Sequence, residues 1–162
     1  MSKSKLFGAQ ELVKEFMSAA GQTINQKLNV KSNEDIALRA ALILEEAIEF
    51  AEASIGKNEH FKPMVDAMVR SLGEIKTVAS KKEYGDILPD VTEMFDAVVD
   101  IEYINLGTAL TFGFPLDAGM EEVHSSNMSK TVDGKMIRDG KGKVIKPDTY
   151  RPANLAFVLK NA

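Results

Sequence analysis

Five carboxylates define the chemistry open to this chain. Glu45, Glu46 and Glu49 form Glu-Glu-x-x-Glu, which puts Glu45 and Glu49 one turn apart on a helix with Glu46 beside them. Asp96 and Asp100 are likewise one turn apart, inside the largely apolar stretch 93–112. In that stretch Glu93, Asp96, Asp100, Tyr103 and Gly107 recur at helical spacing and share one face. Two like charges at 4 Å repel by roughly 4 kcal/mol at an effective dielectric near 20. If the two helices pack antiparallel, their acidic faces converge and need counter-cations. Cysteine is absent and the histidines are His60 and His124, so the available ligands are oxygens. Oxygen donors suit hard ions such as Mg²⁺ or Mn²⁺, which commonly also bind substrate phosphates.

Each pattern has a plainer explanation. A solvated helix face accounts for Glu-Glu-x-x-Glu taken alone. It accounts less well for Asp96 and Asp100, which have Val98, Val99, Ile101, Ile104 and Leu106 around them. Charges on a buried helix must be paired or coordinated, so Lys/Arg partners are the alternative to a metal. Glu121-x-x-His124 has the spacing of a di-iron ligand pair, but such a site needs two pairs and the chain has one. His124 therefore reads as a surface or core histidine.

The elements that must hold these residues follow from periodicity. Leu12, Val13, Phe16, Met17, Ala20 and Ile24 make a helical stripe over 9–24. Ser32, three residues before Asp35, is a capping signal for a long helix that Gly56 ends. Pro63 suits the first turn of a third helix reaching about Ala79. Pro89 opens the acidic, apolar helix, Gly113-Phe-Pro115 closes it, and a shorter helix follows from Leu116 to about Met128. With so many apolar sides, helix 93–112 is expected to run through the middle of a domain. Beyond it, Asp133-Gly134, Asp139-Gly140 and Gly142 signal turns around short β-capable pieces at 135–137 and 143–145. Leu155-Ala-Phe-Val-Leu159 reads as a docked tail. The expected fold is all-α, an antiparallel bundle of four to five helices with an irregular basic C-terminal tail containing hairpin-like pieces. Residues 1–130 form the helical domain and 131–162 a basic extension packed on it.

Composition narrows the setting. The 162 residues, 44% hydrophobic and 27% charged, suit one ordinary globular domain. No apolar run reaches the length of a spanning helix, and the N-terminal residues lack the apolar stretch of a signal peptide, so the chain is expected in the cytoplasm. The net charge of −4 is uneven: from Ser129 onward eight Lys/Arg face three Asp, leaving the first 128 residues at −9. A basic tail on an acidic body suits a nucleic-acid arm or an anion held beside bound cations. On charge alone Lys130, Lys135, Arg138, Lys143 and Arg151 are phosphate candidates, each with solvated surface as the plainer role.

Three motifs in order carry a resemblance. They are Arg39-x-x-Leu42-x-x-Glu45-Glu46-x-x-Glu49, then Asp96-Ala-Val-Val-Asp100-Ile-Glu-Tyr103 with Gly107-Thr-Ala, then Glu122-Val-His-Ser-Ser-Asn127-Met-Ser-Lys130. Together they resemble the all-α nucleoside triphosphate pyrophosphohydrolases, the MazG-like and phosphoribosyl-ATP pyrophosphohydrolase-like enzymes related to dimeric dUTPases. The tail from Asp133 to Pro152 is similar to an extended, often phage-associated branch. The resemblance implies a Mg²⁺-dependent hydrolase that cuts between the α and β phosphates, releasing a nucleoside monophosphate and pyrophosphate. By position, Glu45, Glu49 and Asp100 become metal ligands and Glu46 orients or deprotonates the attacking water. Many members carry Glu three residues before that Asp. Here Ala97 stands there, and Asp96, four residues before, takes the ligand role, with Glu93 in reserve. Asn127 and Lys130 become nucleotide contacts, joined on charge by Arg138 and Lys143.

The partners implied are a nucleotide and further copies of the chain, as a homodimer or homotetramer, with neither membrane nor nucleic acid. Three other readings stay open at this point. One is phosphoribosyl-ATP pyrophosphohydrolase proper, set against by the basic tail. The others are a non-hydrolytic divalent-metal bundle and a helical interaction module whose acidic stripe meets a partner's Lys/Arg.

Overall fold

The computed structural model describes residues 5–140 and 144–161, with the side chains of 5–7 not described. The expected Lys143 site and the start of the 143–145 β-piece lie outside the described residues. Helices dominate: α1 (Lys5–Ala19), α2 (Asn33–Ile55), α3 (Lys62–Lys81), α4 (Val91–Phe112), α5 (Leu116–Met128) and a short α6 (Leu155–Lys160). Two two-residue strands, β1 (Thr131–Val132) and β2 (Lys135–Met136), complete the described elements. The fold is all-α with a short hairpin near its C-terminus. No described helix is long and apolar enough to cross a membrane.

Local chemistry sets most boundaries. Ser32 caps α2 by accepting a hydrogen bond from the Asp35 N–H at 3.1 Å. Glu34 and Asp35 place negative charge at the positive end of that helix. Pro63 occupies the first turn of α3. Asp90, whose carboxylate accepts from the N–H groups of Thr92 and Glu93 at 3.1 Å each, starts α4 in place of the expected Pro89. The first helix lies about five residues earlier than its stripe suggested. Gly21, at φ +66°, ends it, with the Gln22 N–H bonded to the Met17 carbonyl at 2.8 Å. In the tail, Asp133 and Gly134 both have positive φ and join β1 to β2 in register Thr131↔Met136. Arg138 pairs with Val144 as an isolated bridge beyond them.

The chain forms two compact units, Leu28–Met94 and Met1–Lys27 with Phe95–Ala162, and the boundary falls near the start of α4. In the first, α2 packs on α3. Glu34 bonds Lys82 and Glu45 bonds Lys76, so partner numbers fall as α2 rises and the pair is antiparallel. Ala41, Val65 and Leu72 are its buried residues. Burying a Val or Leu side chain contributes about 1.5–3 kcal/mol. In the second unit α5 packs on α1 and α6 on α5, with Ala20, Ala109 and Ser126 buried. His124 reaches Glu15 at 3.4 Å, tying α5 to α1.

One expectation is overturned. Helix α4 is not a buried central helix: Ala109 is its single buried residue, while Phe95, Tyr103 and Leu110 are 71%, 79% and 85% exposed. Apolarity on every side predicts burial against something, and periodicity does not say whether that cover comes from the same chain.

Candidate active site

Helix α2 sets out Glu45, Glu46 and Glu49 as their spacing predicts. Glu45 is half-buried and Glu46 and Glu49 are exposed. Glu45 has a partner that no local pattern announced. The Lys76 ammonium, one helix away on α3, donates to its Oε1. The lysine side chain is 42% exposed and that of Glu45 28%, so solvent screening holds the pair below about 1 kcal/mol. Among the described residues Glu46 and Glu49 have no ion-pair or hydrogen-bond partner through their side chains. They are the unengaged members of the triplet.

The α2–α3 unit also contains a cleft of about 320 Å³, lined by Glu34, Leu38, Leu42, Glu45, Lys76 and Tyr84. Its rim holds a second ion pair, Lys82 with Glu34. The hydrogen bond and charge of Glu34 raise the pKa of the Lys82 ammonium. Lys82 sits at φ +55°, the left-handed conformation that ends α3.

Asp96 and Asp100 stand one turn apart on the part of α4 that belongs to the other unit, and both are exposed. Among the described residues no three acidic or histidine side chains form a group that could hold a metal. The donor chemistry still fits a hard divalent cation, since every expected ligand is a carboxylate. Ala97, where the resemblance expected a glutamate, lies on α4 between Asp96 and Asp100.

Of the expected substrate contacts, the structure brings two together. The Lys130 ammonium donates to the Asn127 side-chain carbonyl at 2.7 Å at the end of α5. Arg138 is elsewhere and donates to the Ala20 carbonyl at 3.1 Å, binding the tail to the end of α1. Arg151 is a fold residue. It donates to Glu122 at 2.8 Å and also to the Ser125 hydroxyl. Glu122 accepts in addition from the Asn154 N–H at 2.8 Å. That backbone hydrogen bond first, and the Arg151 hydrogen bond second, hold the Glu122 carboxyl below its usual range. Ser126 and Ser129 donate to the Arg151 carbonyl, completing the attachment of the tail to α5. A separate cleft of about 590 Å³, floored by Leu12, Leu106, Leu116 and Met120, contains none of the expected site residues.

The family comparison covers most of the chain. A family model for phosphoribosyl-ATP pyrophosphohydrolase matches residues 13–127, a span that includes the acidic triplet, Asp96, Asp100 and Asn127. No curated protein and no solved structure matches the chain. The match stops at Asn127, just before the basic tail. Members of this family are pyrophosphohydrolases acting on phosphoric anhydride bonds of nucleotides. The chain belongs to the phosphoribosyl-ATP pyrophosphohydrolase family, within the MazG-like all-α nucleotide pyrophosphohydrolases.

Proposed function

We propose that this enzyme hydrolyses nucleoside or deoxynucleoside triphosphates between the α and β phosphates in the presence of Mg²⁺, with Mn²⁺ as a substitute. The observation that carries the reading is the Glu45–Glu46–Glu49 triplet on α2, inside the span matched by a nucleotide pyrophosphohydrolase family. Glu45 and Glu49 on α2 are the proposed cation ligands, and Asp96 and Asp100 on α4 are the ligands that the family resemblance adds. When bound, the cation supplies positive charge against that of the polyphosphate. Glu46, exposed and unpaired among the described residues, accepts the proton of the attacking water. The new P–O bond forms as the α–β anhydride bond breaks, and the two products are the monophosphate and pyrophosphate. Such transfer relies mainly on positioning and electrostatics.

The family description favours a second reading, phosphoribosyl-ATP as substrate. The basic segment after the matched span favours the first, because the family match ends before its eight Lys/Arg. We read 131–162 as an extension of the helical domain. The exposed apolar side chains of α4 support a homodimer or homotetramer, and we assign the enzyme to the cytoplasm. A substrate panel separates the two readings. Rates are measured on the common ribo- and deoxyribonucleoside triphosphates and on phosphoribosyl-ATP, with Mg²⁺ and with chelator. Highest kcat/KM on a nucleoside triphosphate, abolished by chelator, is expected. Preference for phosphoribosyl-ATP selects the second reading, and turnover insensitive to chelator removes the metal assignment.

A further inference from the structure

The end of α5 and the tail meet at Tyr150. The Lys130 ammonium lies 5.9 Å and the Lys146 ammonium 4.4 Å from the centre of its ring. Neither lysine has a carboxylate within ion-pair distance among the described residues, and the one further partner of Lys130 is the neutral Asn127 carbonyl. The arginines of the tail behave differently, since Arg151 is bound to Glu122 and Arg138 to the Ala20 carbonyl. Two ammonium groups gathered on one ring repel each other, and the negative face of the ring offsets that repulsion in part. An anion offsets it further. Lysine is a compact, mobile charge suited to phosphate oxygens, and the tail carrying these lysines is net positive.

We infer that Lys130 and Lys146, set around Tyr150, form a clamp for a polyphosphate, the di- or triphosphate portion of the nucleotide. The inference rests on the nucleotide reading above and extends it to a tail that lies beyond the matched span. Tyr150 acts as a positioning residue, holding both lysines on its ring. The clamp binds substrate and leaves bond cleavage to the carboxylates, so its loss acts on KM more than on kcat.

The test uses the full chain and inorganic tripolyphosphate, measured by calorimetry in metal-free buffer, beside nucleotide kinetics with Mg²⁺. Lys146→Met and Lys130→Met are each expected to weaken tripolyphosphate about tenfold, as loss of a charge-assisted hydrogen bond does. Tyr150→Leu is expected to match them. Tyr150→Phe keeps the ring and stays within about twofold of wild type. Lys160→Met, on α6, is the unaffected control. In kinetics Lys146→Met raises KM with kcat nearly constant. The clamp is refuted by a wild type that does not bind tripolyphosphate, by Lys146→Met matching Lys160→Met, or by Tyr150→Phe falling as far as Tyr150→Leu. Absence of nucleotide hydrolysis together with the expected tripolyphosphate pattern sinks the enzymatic reading and leaves the clamp. Hydrolysis with unaltered tripolyphosphate binding in Lys146→Met does the reverse.

Discussion

Glu122 and Glu46 are both helical glutamates that follow another glutamate and precede an apolar residue, and they serve opposite ends. Glu122 accepts from Arg151 and from the Asn154 N–H, and its pKa is lowered by those bonds. Its charge is committed to holding the tail on α5. Glu46 on α2 has no described partner, so its charge remains available to a ligand. The cations divide in the same way. Arg151 and Arg138 are bonded to the fold, while Lys130 and Lys146 rest on an aromatic ring. The contrast separates charge that holds structure from charge that can meet a substrate, and sequence counts alone do not make that distinction.

The sharpest way to test the contrast is Glu46→Gln. The substitution keeps size and hydrogen bonding but removes the proton acceptor, and turnover should fall by about 10²–10⁴-fold. Calorimetry should find Mg²⁺ still bound, since the proposed ligands are its neighbours. Unchanged turnover would contradict its role. Breaking the scaffold beneath the triplet gives the next largest effect. Leu72 is buried on α3, the helix packed on α2, and Leu72→Ala should destabilise by about 2–4 kcal/mol in chemical denaturation.

The committed carboxylate predicts a pH response. Glu122 has a depressed folded pKa, so its contribution is present above the ordinary glutamate pKa. It is lost as pH falls through the folded value. Amide protection factors over residues 150–160, taken against the intrinsic rate at each pH, should therefore fall on acidification, and Glu122→Gln should show low protection already at neutral pH. Wild-type protection of those amides in that variant would break the comparison. The smallest effect belongs to the backbone. Gly21→Ala forces alanine to φ +66° and should cost about 1 kcal/mol, with no change in KM.

Local signals were legible in the chain, and long-range ones were not. Ser32, Pro63 and Asp133-Gly134 act through neighbours within four residues, so the types and spacing of those residues announce the structure they make. The acidic triplet and the order of its motifs were equally readable, and the family match spans them as far as Asn127. The bond from Lys76 to Glu45 joins residues 31 apart, and that from Arg151 to Glu122 joins residues 29 apart. No periodicity encodes such pairs. Helix α4 misled for a related reason. Its apolar sides state that cover is needed, but which surface provides that cover is not a property of the helix itself.

The central claim is that the carboxylates of α2 serve cleavage between the α and β phosphates. Separating the products formed by the wild-type enzyme from a nucleoside triphosphate and Mg²⁺ tests it most directly. Equal amounts of monophosphate and pyrophosphate are expected. Nucleoside diphosphate with inorganic phosphate would contradict it.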